Sequence, residues 1–295
     1  MSKSRSSWWK LALQADAEVA GGNYNQAERL YRQALDSRRT AQGVPAGRNG
    51  SKTDQAELEI ATLLNNLAVV HKYQGRFEDA RRLYRQVLPT LVRILGPQDG
   101  AVATLYHNLG GLEHARGRFA RAEPLARRAV AIRMRNLGPN HPEVAADQAA
   151  LAAILDGRGK RDEAERLFRL ALAVLTRTHG NAHLEIAINL NNLAALFQAR
   201  GDTLRAEQLY RRSLALKAKI LGSRHPDTAT TLNNLAVLRK SIGDLDEAES
   251  LYQRASGIFQ DSLDPEHPKR KACAANLVAL RRERNRRERT LRGNS

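Results

Sequence analysis

Leu64-Asn65-Asn66-Leu67-Ala68 returns as Leu190-Asn191-Asn192-Leu193-Ala194 and again as Leu232-Asn233-Asn234-Leu235-Ala236. The last two copies lie 42 residues apart, and the first lies three such steps before the second. Working outward, Leu67, Leu109, Leu151, Leu193, Leu235 and Leu277 keep the step, as do Gly75, Gly117, Gly159, Gly201 and Gly243. Ala80, Ala122, Ala164, Ala206 and Ala248 form a third series, and Gly96, Gly138, Gly180 and Gly222 a fourth. A fixed period of this length is the mark of a repeat array. An earlier unit stands out of phase: Gly22, Tyr24, Ala27, Leu30 and Tyr31 precede Gly75, Phe77, Ala80, Leu83 and Tyr84 by 53 residues. The extra residues fall in Gln42–Asp54, where Gly43, Pro45, Gly47 and Gly50 predict an exposed loop.

Each period reads as two helices. In the unit that starts at Pro226, Ala229, Leu232, Leu235, Ala236 and Leu238 make one apolar stripe at helical spacing. Gly243-Asp244 makes a turn, and Ala248, Leu251, Tyr252, Ala255 and Ile258 make the second stripe. Pro142, Pro226 and Pro268 suit a first helical position, where the missing N–H costs nothing. Acidic Glu143 and Asp227 follow, favoured near a helix N-terminus. A lone hairpin cannot bury both stripes, so the hairpins are expected to stack into an array with a concave and a convex side. The expected fold is all-α. It is an α-solenoid of stacked helix-turn-helix units over 8–268, with a flexible 1–7 and a basic capping helix and tail over 269–295.

Composition narrows the function. The 295 residues hold 48 Lys and Arg against 31 Asp and Glu, a net charge of +17 that suits acidic partners. The single Cys273 excludes an internal disulfide framework and a cysteine-built zinc site. No apolar run is long enough to span a membrane, and Met1–Trp9 holds no secretory stretch. A soluble, cytoplasmic protein without membrane association is the expectation.

The succession Leu-Asn-Asn-Leu-Ala, then Gly, then Glu-Ala-Glu-x-Leu-Tyr resembles tetratricopeptide repeats. The 42-residue period and the Gly-x-x-His-Pro link at Gly138–Pro142 and Gly222–Pro226 resemble the repeats of kinesin light chain and its bacterial relatives. The resemblance runs from about Trp8 to Leu280. It departs at Gly96-Pro97-Gln98-Asp99, which lacks His-Pro, and at Gly180–Leu184, which lacks the proline. The heptads that join a light chain to its motor are not seen, nor is the ATPase domain that precedes the repeats in many relatives.

The resemblance implies that first helices line a concave groove whose asparagines grip an extended peptide. An amide suits this because it both donates and accepts. The matching positions are Asn65, Asn66, Asn108, Asn191, Asn192, Asn233 and Asn234; His107 replaces one amide, and Ala149 and Ala150 replace a whole pair. Asn65, Asn191 and Asn233 are the preferred binding residues, because the second of each pair also suits a bond to a neighbouring helix. Lys72 and Lys240 follow Asn65 and Asn233 by about two helical turns, with His107 and His114 in the unit between, and these can meet a carboxylate. Asp156, at the position equivalent to Lys72, opposes that. Val69, Ala195 and Val237 stand where a chaperone-type carboxylate clamp would need its second asparagine. The expected partner is a protein or linear peptide, acidic by preference.

Nucleic acid is the alternative partner. From Glu266 onward ten basic side chains, Arg281, Arg282, Arg284, Arg286 and Arg287 among them, oppose three acidic ones, a density that can hold phosphates. No aromatic lies there to stack bases. Arg81, Arg82, Arg85, Arg127, Arg128, Arg211 and Arg212 fall on second helices and read as a solvated face.

Chemical signals are weak. Gly47–Thr53 faintly resembles a phosphate loop, but Ala46 and Ser51 stand where glycines are required. His179 and His183 have a metal-binding spacing only if helical, and Gly180-Asn181 breaks the helix, so His183 reads as a link or capping residue like His141, His225 and His267. His107 and His114 share a helical face with no carboxylate or nucleophile placed beside them by sequence. No enzyme, cofactor or metal is expected.

Overall fold

Each period closes into a helical hairpin because two glycine phases supply the backbone that turns need. Gly117 (φ 69°) sits between the two helices of a hairpin and Gly138 (φ 80°) ends the second, and no other residue type has a positive φ among the described residues. The computed structural model describes residues 7–42 and 50–293. It holds thirteen helices and no strand there. The pairs are α1 (Ser7–Ala20) with α2 (Tyr24–Gln42), α3 (Gly50–Tyr73) with α4 (Phe77–Leu95), and α5 (Gly100–Ala115) with α6 (Phe119–Leu137). Then come α7 (Pro142–Gly157) with α8 (Arg161–His179), α9 (Leu184–Ala199) with α10 (Thr203–Leu221), α11 (Pro226–Ser241) with α12 (Leu245–Ser262), and last α13 (Pro268–Gly293). The fold is all-α, as the periodicity requires.

Two compact units divide the chain inside α8, Met1–Leu167 and Phe168–Ser295. In the first, each hairpin from α1 to α6 packs on the next, and the first helices α3, α5 and α7 are neighbours in turn. In the second, α9 to α13 do the same, with first helices α9, α11 and α13 as neighbours.

The core explains the periodic residues. Ala80, Ala122, Ala206 and Ala248 are fully buried on second helices, as are Ala68, Ala152, Ala194 and Ala236 on first helices. Gly110 takes that place in α5, and a Cβ there would lie 3.4 Å from the Ala126 amide nitrogen. Small residues thus let helix backbones approach, and aromatic Tyr84, Phe168, Tyr210 and Tyr252, all within 1% of full burial, fill the space beside them.

Part of the stretch 42–54, expected as a loop, is helical. Residues 43–49 lie outside the described residues, as do 1–6, but Gln42 is still helical and α3 begins at Gly50. The early start has a charge partner: Arg93 of α4 bonds Asp54 at 3.1 Å and also pairs with Glu57. Ser7 is likewise already helical.

The link histidines are helix caps. His141, His183, His225 and His267 each accept a backbone N–H through Nδ1, from Glu143 (3.2 Å), Glu185 (3.3 Å), Asp227 (3.0 Å) and Lys269 (3.0 Å). The ring nitrogen does the work of the usual capping oxygen. Where the histidine is missing, Asp99 caps α5 by accepting from Ala101 at 2.7 Å.

Candidate functional site

The asparagines stand on first helices, and the 42-residue step puts them side by side within each unit. In the first unit, Asn108 Nδ2 of α5 donates to Asn65 Oδ1 of α3 at 3.0 Å, and Asn65 Nδ2 donates to Asn66 Oδ1 at 3.2 Å. Asn66 in turn reaches the buried Tyr31 hydroxyl of α2. In the second unit, Asn234 of α11 donates to Asn191 of α9 at 3.3 Å, Asn191 donates to Asn192 at 3.3 Å, and Asn276 of α13 reaches Asn233 at 3.5 Å. Asn108, Asn234 and Asn276, all in the phase of the second amide, therefore bond back to the first amide of the preceding repeat.

These rungs use part of each amide's capacity. An amide offers two N–H donors and two lone pairs, so Asn65, with one bond in each direction, keeps one of each. Asn65, Asn66, Asn108, Asn192, Asn233 and Asn234 are all half-buried. Asn191 is buried, with 7% exposure, and Asn192 beside it has more surface. In that pair, accessibility runs opposite to the order expected from sequence.

The cations beside the asparagines are held in place. Lys72 Nζ lies 5.2 Å from the Tyr73 ring centroid and close to Gly111 of α5, where a Cβ would stand 3.8 Å away. Lys240 pairs with Glu283 of α13 at 3.5 Å. His114 packs edge-on against Phe119 at 5.4 Å. Burial pulls its pKa below the ordinary imidazole value, the Lys72 charge adds to this, and a hydrogen bond to the Ala153 backbone opposes both. His114 is thus a packed ring whose charged form is disfavoured. Asp156, in the same phase one repeat on, faces Arg161 at 3.6 Å.

His107 has a partner that sequence reasoning missed. Its Nδ1 lies 2.7 Å from Asp147 Oδ1 of α7. Asp147 is buried and also takes Arg133 Nε of α6 at 2.7 Å; Arg133 bonds Thr104 at 3.0 Å and pairs with Glu143. A signal was present. Asp147 occupies the phase of Leu63 and Leu105, and Arg133 that of Leu91 and Leu175. Two opposite charges stand together where the preceding repeats carry leucine.

The second-helix arginines are mostly paired. Arg127 bonds Glu123 and Glu163, both at 2.9 Å, and Arg211 bonds Glu207 and Glu247, both at 2.8 Å. Hydrogen bonds from Lys160, Arg127 and Arg158 hold the Glu123 carboxyl down at about 2, against the desolvation that would raise it. Arg128 lies over the Tyr106 ring at 4.7 Å. On α13, Arg281 and Arg284 bond Glu249 at 2.8 and 3.0 Å, and Arg287 bonds Glu283 at 2.7 Å.

This arrangement of hairpins defines a repeat class, and comparison with known proteins names it. A tetratricopeptide repeat family model matches residues 59–135, 102–177, 152–219, 185–261 and 227–289, and the chain belongs to that family. Kinesin light chain-like repeat proteins are among the solved structures it resembles. Among solved structures it is similar to BtubC (BKLC) from P. vanneervenii, at 24% identity and a TM-score of 0.57, over 82% of this chain and 94% of that one. It is similar to a single-substitution form of nearly identical TPR-like repeats of kinesin light chain type from Podosopora anserina, at 25% identity and a TM-score of 0.50, over 68% of this chain and 96% of that one. A Rap protein complexed with Competence and Sporulation Factor shares 15% identity and a TM-score of 0.62, over 94% of this chain and 75% of that one. No curated protein matches the chain.

Proposed function

We propose that this protein is a non-enzymatic interaction scaffold whose first-helix faces grip extended peptide, acidic by preference, through the amides of Asn65, Asn66 and Asn108 in the first unit and, as a gripping face of its own, those of Asn192, Asn233 and Asn234 in the second. The observation that carries the reading is the set of inter-repeat amide rungs. They hold half-buried asparagines in fixed orientation while leaving donor and acceptor capacity on them. A peptide backbone presents alternating donors and acceptors, which such fixed amides match at little ordering cost. No helix among the described residues is long and apolar enough to cross a membrane, and the single, buried Cys273 fits a reducing cytoplasm.

The nucleic-acid alternative loses ground, because Arg281, Arg284 and Arg287 already pair with carboxylates. The test is capture from lysate with the tagged chain, with and without nuclease, followed by affinity measurements on N65A/N233A. A partner that survives nuclease and binds the double variant at least about tenfold more weakly supports the scaffold reading. Each substitution removes one rung, worth about 1 kcal/mol of stability, so melting is followed in parallel. Unchanged affinity in a folded double variant refutes the groove assignment, and loss of every partner on nuclease treatment moves the function to the basic helix.

A further inference from the structure

We propose that the link between α8 and α9 is a binding site for a divalent transition-metal ion, held by His179, His183 and Glu185. Their ligand atoms all lie within 4.8 Å of one another, and the two imidazole rings stack with centroids 4.1 Å apart and planes 19° apart. The helical spacing that sequence reasoning required is indeed broken. Gly180 at φ 72° instead turns the chain so that His183, at the start of α9, comes back against His179, at the end of α8.

Packing does not ask for this cluster. The residue before the link glycine is Leu95, Leu137 and Leu221 in the other repeats, and only here is it histidine. At 95 and 137 that leucine is exposed, so the position lies open and His179 fills no core. The same link also lacks the helix-starting proline of 142, 226 and 268, with Leu184 in its place. Two departures from the repeat thus coincide at one point. The first adds a ligand, and the second removes the ring that would have stiffened the link. An ion bridging the end of α8 to the first turn of α9 restores that stiffness.

The donor set selects the ion. Two imidazoles and one carboxylate suit zinc and its neighbours rather than calcium or magnesium. A tetrahedral ion at about 2.0–2.1 Å from each donor needs ligand atoms about 3.3–3.4 Å apart. The proposal requires these exposed or half-buried side chains to rotate so that ligand atoms now within 4.8 Å of one another close to that spacing. A fourth position stays open to water or to a donor from a partner. His183 now accepts the Glu185 N–H through Nδ1 at 3.3 Å. An ion at Nε2 leaves the ring proton on Nδ1 and takes the place of that cap in fixing the helix start.

The experiment is calorimetric titration of the untagged chain with zinc chloride, beside H179L and E185Q. H179L installs the residue of the other repeats, so it folds whether or not the proposal is right, and matching melting curves without metal check this. One zinc ion per chain, bound at least about tenfold more weakly by H179L and by E185Q, is the expected result. Absence of binding at about 100 μM zinc, or equal binding by wild type and H179L, overturns the proposal.

Discussion

Replacing Lys217 with leucine is expected to stabilise the protein at neutral pH. Lys217 lies in α10 with 4% exposure, in the phase that Leu91, Leu175 and Phe259 occupy as core residues elsewhere. Its Nζ donates to Thr231 Oγ1 at 3.0 Å and to the Asp227 carbonyl oxygen at 3.3 Å. Burial pulls its pKa from 10.5 down to about 8; the Asp227 charge opposes this and Lys269 adds to it. A base whose folded pKa lies below its unfolded one binds fewer protons when folded. The cost is therefore fully present below pH 8 and is relieved as the pH rises from about 8 to about 10.5. The gap corresponds to about 3 kcal/mol at pH 7 and about 2 kcal/mol at pH 9. Leucine gives up two hydrogen bonds of about 1 kcal/mol each, but the Thr231 hydroxyl can turn to the Asp227 carbonyl four residues back. The net expectation is a gain of about 1–2 kcal/mol at pH 7 that shrinks to nothing near pH 10. Urea unfolding of wild type and K217L at pH 7, 8, 9 and 10 measures it. Taking the difference cancels the shared contribution of buried hydroxyls such as Tyr252, pushed up to about 12 chiefly by burial. A difference that is constant across this range refutes the reasoning.

Two other substitutions probe the first unit. D147A leaves the buried Arg133 guanidinium without its carboxylate and should cost about 3–5 kcal/mol, whereas R133L/D147L, which installs the residues found at 91 and 105, should recover most of it in the same unfolding assay. If the double variant is as unstable as the single one, the pair is not the apolar substitute described above. G157A puts a Cβ 2.5 Å from the Phe119 ring and should lower stability by about 1–3 kcal/mol. Truncating the ring as well, in F119A/G157A, should remove that added cost, and a G157A variant that melts with wild type would show the contact to be soft.

Much of the architecture was legible because repeats write their packing into sequence. Ala80, Ala122 and Ala248 keep one phase because a larger residue would push two helices apart. Gly117 and Gly138 keep theirs because their backbone is left-handed. The link histidines were readable as caps from their place before a helix, although not which ring nitrogen accepts. The amide rungs were less legible. Asn65 and Asn108 were both singled out, but the direction of their bond depends on how two first helices face each other. Asp147 and His107 lie 40 residues apart and meet only because α5 and α7 are neighbours. The early start of α3 was hidden for a similar reason, since Asp54 and Glu57 find Arg93 on a different helix.

Sequence alone determined the all-α hairpin repeat, its 42-residue length, the positions of its turns and the family to which it points. These follow from local backbone preference and from periodic burial, both of which act between residues near in the chain. Tertiary structure decided which polar groups are spent and which remain. It set Lys240 against Glu283, packed the His114 ring edge-on against Phe119, seated Arg133 on Asp147, and brought His179 against His183 through a turn rather than along a helix. Hydrogen bonds and charge pairs act over a few ångströms in space, and the chain's order does not record which residues come that close.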